Sequence, residues 1–238
     1  MTLRDLVVRE LYRPGIISVL ANPFYFARRG LAREMRDLAP LLSGRVIDIG
    51  CGNRPYRDLF AGADYVGLEI DTPATRARGV ADIYYDGKTF PCADAEFDGA
   101  LANQVLEHVF EPEDFLAEAS RILKPGAKLI LTVPFLWDEH EQPYDYARYS
   151  SFGIRHLLEK AGFKVLEQRK TMANFAAIAQ LANAYFFKTV LSRHKLLWIV
   201  GMPTLVFPIN VIGILLSFLL PANADLYLDN VILAERRA

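Results

Sequence analysis

Arg45-Val46-Ile47-Asp48-Ile49-Gly50-Cys51-Gly52-Asn53-Arg54-Pro55-Tyr56 is the stretch that decides the fold. Val46 to Ile49 is an apolar run of strand length, and Gly50-Cys51-Gly52 breaks it sharply. Pro55 suits the first turn of a helix, where its missing N–H costs nothing. Strand, glycine turn and helix in that order predict a ligand crevice at the carboxyl end of a parallel strand. Glycine at 50 and 52 lets a ligand approach backbone that a side chain would keep away. Asp48 sets a negative charge beside the turn, which repels a pyrophosphate and suits a cationic ligand. The dinucleotide fingerprint also wants a third glycine where this chain has Pro55. A dinucleotide is therefore not expected.

The 238 residues suffice for one α/β domain plus an elaboration. A net charge of −1 with 23% charged residues offers no polyelectrolyte basis for nucleic-acid binding, so no such partner is expected. Hydrophobic residues reach 52% and the mean hydropathy is +0.14, at the apolar end for a soluble domain. Cys51 and Cys92 lack metal-ligand spacing and fit a reducing compartment. Cys51, inside the glycine turn, reads as small buried filler rather than a nucleophile. The N-terminus alternates Arg4, Asp5, Arg9 and Glu10 without an apolar signal core, so a cytoplasmic chain is expected. Thr2 to Leu11 reads as a short amphipathic helix stopped by Pro14-Gly15. A further helix carries Leu31, Met35 and Leu38 on one side. Residues 1–43 are thus expected to form an N-terminal helical segment that caps the sheet or covers the crevice.

Pro55 to Phe60 is expected as the first crossover helix, and Tyr65 to Ile70 as a second strand ending in Glu69. An acid about 20 residues past the glycines is placed to accept from ribose hydroxyls. Ala81 to Tyr85 is a third strand, with Asp86 and then Phe90-Pro91 after it. Phe97 to Asn103 is a fourth, running into Gln104-Val105-Leu106-Glu107-His108. Pro112 to Leu123 is a helix with Phe115, Leu116, Ala119 and Ile122 on one face. Lys124-Pro125-Gly126 stops it before a fifth strand, Lys128 to Val133. A helix from Ser151 to Ala161, a sixth strand from Phe163 to Lys170 and a last strand from Asp225 to Glu235 complete the pattern.

The Asp-x-Gly-x-Gly core at 48–52, Leu106-Glu107-His108 and Arg121-Ile122-Leu123-Lys124-Pro125-Gly126 together resemble class I S-adenosylmethionine-dependent methyltransferases. The resemblance covers about Gly44 to Lys170 and the last strand. It implies a Rossmann-like α/β sheet of seven strands in the order 3-2-1-4-5-7-6, with strand 7 antiparallel. It implies S-adenosyl-L-methionine as cofactor, bound by Asp48, Gly50, Cys51, Gly52 and Glu69. Asp86 best matches the acid near the adenine, with Asp82 as competitor, and Asn103 and Gln104 line the methionine end. His108 reads as framework, because Leu-Glu-His recurs in family members of differing chemistry.

The segment after strand five, Pro134 to Tyr149, holds Trp137, His140, three tyrosines, four acids and Arg148 at the crevice mouth. His140 is the base candidate, because imidazole titrates near neutrality. Glu141 or Asp145 could orient it, and Arg148 could hold an anionic group of the acceptor. The alternative is that His140 and Arg148 merely pin a loop over the cofactor. No metal is expected, since no ligand trio shows in the sequence.

Between strands six and seven the chain inserts residues 171–224, and from Leu196 to Ala224 there is neither charge nor histidine. So long a stretch is expected to be helical. Pro203 and Pro208 argue against one straight helix, and Ile209 to Leu220 alone would reach only about 18 Å. The expected organisation is a core of 44–170 and 225–238 carrying a hydrophobic helical insertion, 171–224. That insertion is expected to enter a membrane from the inner face and return, or else to meet a second copy in a homodimer or cap a greasy pocket. The activity expected is O-methylation of a lipid-linked or amphiphilic small molecule, such as an envelope glycan intermediate. A quinone or other isoprenoid phenol is the alternative acceptor, and a non-catalytic accessory subunit of a membrane enzyme the alternative role.

Overall fold

A computed structural model describes residues 10–238. The expected helix from Thr2 lies almost wholly outside the described residues. The chain divides into two compact units.

The larger unit comprises Met35–Phe135, Glu139–Arg169 and Asn230–Ala238, and carries the sheet. Its strands are β1 (Arg45–Ile49), β2 (Asp64–Ile70), β3 (Ile83–Tyr85), β4 (Phe97–Asn103), β5 (Leu123–Pro134), β6 (Phe163–Lys170) and β7 (Asp229–Arg236), in the order 3-2-1-4-5-7-6. The first five pair in parallel, with Val46 opposite Tyr65 on one side and Gly99 on the other. β7 runs against β6: Arg237 N–H donates to Gly162 O at one end, and at the other Leu228 N–H donates to Thr171 O while Thr171 N–H donates to Asp229 O. The central strands are apolar almost throughout because parallel sheets are covered on both faces. The helix Pro112–Ile122 buries Phe115, Leu116, Ala119 and Ile122, the face its spacing predicted. The helix Ser151–Lys160 is capped by Ser150, whose hydroxyl accepts from Gly153 N–H.

Three elements differ from expectation. Pro55 to Phe60 is no full helix: only Arg57–Phe60 turns, as 3-10. Gly50, Gly52 and Arg54 all take positive φ, so left-handed backbone recurs up to the residue before Pro55. β5 begins at Leu123, pairing Phe97 with Leu123 before a register shift. β7 begins at Asp229 rather than Asp225.

The smaller unit comprises the N-terminal stretch through Glu34, Leu136–Asp138 and Lys170–Asp229. It contains α1 (Ile16–Ala21), the first part of α2 (Tyr25–Leu38), and α6 (Phe175–Thr189), counting α3 (Pro73–Arg78), α4 (Pro112–Ile122) and α5 (Ser151–Lys160) in the sheet unit. It also contains α7 (Lys195–Gly201) and α8 (Phe207–Leu219). The insertion is helical, as expected, but Pro203 does not break it. Met202–Val206 forms a π-helical turn that carries the chain from α7 into α8, so Lys195–Leu219 is one helical run of 25 residues. A wider turn accommodates the missing N–H that would kink an ordinary α-helix.

Candidate functional site

β1 delivers Asp48 to the carboxyl edge of the sheet, and the glycine turn folds back onto β2. Gly50 and Cys51 N–H both donate to Leu68 O, at 2.8 and 3.1 Å. Gly52 N–H donates to the Glu69 carboxylate at 2.8 Å, so the predicted ribose acid also fixes the turn. The two glycines serve different purposes. At Gly50, φ is +70° and a Cβ would sit 2.5 Å from Val105, so its requirement is internal. At Gly52, φ is +51° and a Cβ would meet no atom within 4 Å. Only there does glycine keep open space beside exposed backbone, a cradle that fits a bound cofactor.

Asp48 is buried and accepts from the Tyr65 hydroxyl. Burial pushes its carboxyl up to about 7, against the opposing pull of the Tyr65 bond and Arg54. The charge expected to be fixed is therefore titratable near neutrality. Cys51 is buried too, and its thiol is pushed up to about 11 by that burial and by Asp48. A neutral thiol at physiological pH is filler, not a nucleophile.

Arg54 was not singled out by the sequence. Its guanidinium donates to Asp82 at 2.5 Å and lies 5.6 Å from the Tyr65 ring centroid. Asp82 accepts from Gly67 N–H as well, at 2.7 Å. A Cβ at Gly67 would fall 2.5 Å from the guanidinium, so that glycine inside β2 clears the path for Arg54. Asp82 is thus engaged in the scaffold. Asp86 sits in an exposed turn, accepting from Lys88 and Thr89 N–H. Asn103 and Gln104 end β4 against Thr132 of β5, whose hydroxyl donates to Asn103 Oδ1 at 3.0 Å. Gln104 holds φ +56°, its N–H donating to Thr132 O at 3.0 Å.

The second cluster lies in the loop after β5. Arg148 grips Asp145 through two bonds of 2.6 Å, and His140 N–H donates to the same carboxylate at 2.9 Å. Arg148 first, then the His140 backbone, holds Asp145 down at about 2. His140 Nδ1 lies 3.3 Å from Asp145 Oδ2 and 3.4 Å from an Arg148 nitrogen. His140 Nδ1 thus stands between an ionised carboxylate and a guanidinium nitrogen that has a second N–H to offer, and both hold the ring in place. His140, Asp145 and Arg148 come together, but Arg148 is engaged with Asp145, where the sequence had it holding an anionic group of the acceptor. Glu141 does not join them: it is exposed at φ +51° in the adjoining turn.

His108, expected as framework, stands beside this cluster. Its ring lies 4.8 Å from that of His140, edge to face, and its Nδ1 donates to Tyr144 O at 2.7 Å. Tyr146 N–H donates to Glu107 O at 2.8 Å, so the loop is sewn to the Leu106–His108 turn at two points. Glu107 is fully buried beneath it.

A doubly wound sheet of this strand order, with a glycine cradle and an acid at the end of β2, defines a Rossmann-like cofactor-binding fold. Residues 24–168 match the sequence profile of the Methyltransferase domain family. An O-methyltransferase of Aspergillus nomiae is 28% identical over 166 residues, 59% of this chain and 74% of that protein. A protein of Mycolicibacterium smegmatis named a probable S-adenosylmethionine-dependent methyltransferase is 30% identical over 179 residues, 69% of each chain. Among solved structures, an S-adenosylmethionine-dependent methyltransferase from Archaeoglobus fulgidus superposes with a TM-score of 0.56, over 98% of this chain and 99% of that one, at 15% identity. The chain belongs to the class I S-adenosylmethionine-dependent methyltransferases.

Proposed function

We propose that this methyltransferase methylates a hydroxyl group of an amphiphilic or lipid-linked acceptor at a membrane surface. The observation that carries the proposal is the apolar outer face of the smaller unit. Its interior combines an apolar cluster of Tyr25, Phe26, Ala176, Ala177 and Ala179 with buried amides: Gln180 donates to Pro23 O at 2.8 Å, Asn183 to Asn210 at 2.8 Å, and Asn210 to Val19 O at 2.9 Å. Its outer side is apolar, with Leu196, Leu197, Trp198, Ile199 and Val200 all exposed on α7, and Ile212, Leu215, Phe218 and Leu219 on α8. Water-facing helices carry polar residues on that side. Exposed apolar surface of this extent marks a docking face.

The run Lys195–Leu219 reaches roughly 37 Å, long enough to cross a ~30 Å hydrocarbon core. A single crossing is incompatible with the topology, since β6 before it and β7 after it are neighbours in one sheet. Two crossings need α6 as partner, and its 15 residues reach only about 22 Å. The unit therefore lies in one leaflet, with Arg193 and Lys195 meeting anionic headgroups.

At the catalytic unit, S-adenosylmethionine supplies the electrophilic methyl group when bound. Gly52 and Glu69 hold it at the cradle, with Asp48 offering negative charge and Asn103 and Gln104 walling the crevice. The acceptor hydroxyl ionises at the cluster of His140, Asp145 and Arg148, where Asp145 orients the imidazole and Arg148 fixes Asp145. The fungal relative's oxygen-directed activity supports a hydroxyl acceptor. Flotation of the full chain with liposomes tests the membrane half of the proposal. Binding that grows with anionic lipid content is expected; a protein that ignores vesicles in detergent-free buffer would refute it.

A further inference from the structure

Glu107, His108 and His140 each bring one ligand atom to a common point, all within 4.8 Å of one another. The histidines are brought together from sequence positions 108 and 140, which is why the sequence showed no ligand trio. We propose that these three side chains form a binding site for a divalent transition metal ion, Zn2+ or an ion of similar coordination.

Three features argue for it. Each imidazole is oriented from behind. His108 Nδ1 carries a proton because its partner at 2.7 Å is the Tyr144 carbonyl, and the His140 ring is held at Nδ1 between Asp145 and Arg148. That fixes Nε2 as the lone-pair nitrogen of His108, and backing of this kind by carbonyl or carboxylate accompanies metal-bound histidine. The third feature is the anion. Glu107 is 0% exposed, and a carboxylate taken wholly out of water calls for positive charge nearby. Its oxygen stands 4.0 Å from His108 Nε2. Ligand atoms around tetrahedral zinc are about 3.3 Å apart, so the group closes on an ion with a movement of roughly 1.5 Å. His140, on a loop with its side chain 26% exposed, can supply that movement.

Two imidazoles and one carboxylate leave coordination positions open, as catalytic rather than structural sites do. The role of the ion, though not the existence of its site, rests on the acceptor reading above. With the ion in place, the acceptor hydroxyl gives its proton to solvent while the ion holds the oxygen. That oxygen takes the methyl group, and the electron pair of the broken C–S bond returns to the cofactor's sulfur. His140 then serves as a ligand, and the ion takes over the lowering of the hydroxyl's pKa.

The experiment is titration of the chelator-stripped full chain with Zn2+ by calorimetry and with Co2+ by visible absorption. One ion per chain and the d–d bands of nitrogen-ligated Co2+ are expected. His108→Ala should lose the bands, and Asp145→Asn should weaken binding by ~10–100-fold through loss of the backing bond. Because Glu107 is buried, Glu107→Gln is read only if it still binds S-adenosylhomocysteine; His140→Asn serves as the second ligand variant. A stripped protein that binds S-adenosylhomocysteine but takes up neither ion overturns the site. So does binding that survives His108→Ala and His140→Asn. Methyl transfer that persists in chelator yet fails in His140→Asn would overturn the metal role and leave the acceptor reading standing. Ion binding without any transfer to a hydroxyl acceptor would do the reverse.

Discussion

Replacing Asp48 by Asn removes a buried carboxyl while keeping an oxygen for the Tyr65 hydroxyl. The carboxyl titrates near 3.8 in an unfolded chain and near 7 in the folded one. Between those values the folded protein holds a proton that the unfolded chain has released. Stability of the ligand-free wild type therefore falls as pH rises through that window, and levels off above it. At about 1.4 kcal/mol per tenfold, the full displacement corresponds to roughly 4 kcal/mol. Asp48→Asn has no such proton to lose. Urea unfolding at several values between pH 4 and 8 should show the variant gaining on the wild type with rising pH, with most of the gain complete by pH 8. The same variant should bind the cationic cofactor more weakly, because the negative charge beside the turn is gone. A stability difference that stays flat across this range would refute the argument, since it would mean that Asp48 ionises in the folded protein without penalty.

Gly52→Val meets no protein atom, so it should fold yet lose S-adenosylhomocysteine binding by filling the cradle; unchanged calorimetry would remove Gly52 from the cofactor site. Glu69→Ala should also lose affinity, partly through the freed Gly52 N–H, and an unchanged dissociation constant would count against both roles. His140→Ala should lower turnover by ~100-fold or more with cofactor affinity unaltered, whereas a near-normal rate would demote the residue to loop framework. Replacing Leu197, Trp198, Leu215 and Phe218 together with serine should abolish liposome binding without changing cofactor affinity; retained binding would place the membrane contact elsewhere.

The parts of the fold legible in sequence are those set by local pattern. The glycine turn, the buried face of Pro112–Ile122 and the helical character of the insertion follow from spacing and composition. The strand order followed from resemblance. What escaped is what the chain assembles at a distance. Nothing near Arg54 announces that it will reach Asp82, although Gly67 inside an apolar strand was a signal that something passes close to it. His108 was read as framework because its local motif is common, yet its significance comes from His140, which only the folded loop brings alongside. Pro55 promised a helix, but only Arg57–Phe60 turns, as 3-10. Pro203 promised a break that a π-helical turn absorbs.

The most direct test of the central claim is methyl transfer itself. Full-length protein is incubated with methyl-labelled S-adenosylmethionine and membrane lipids, which are then extracted and separated. Label in an organic-phase product as an alkali-stable ether is the predicted result. Label confined to water-soluble products, or a lipid product whose methyl group is released by mild alkali, would contradict hydroxyl methylation of an amphiphilic acceptor.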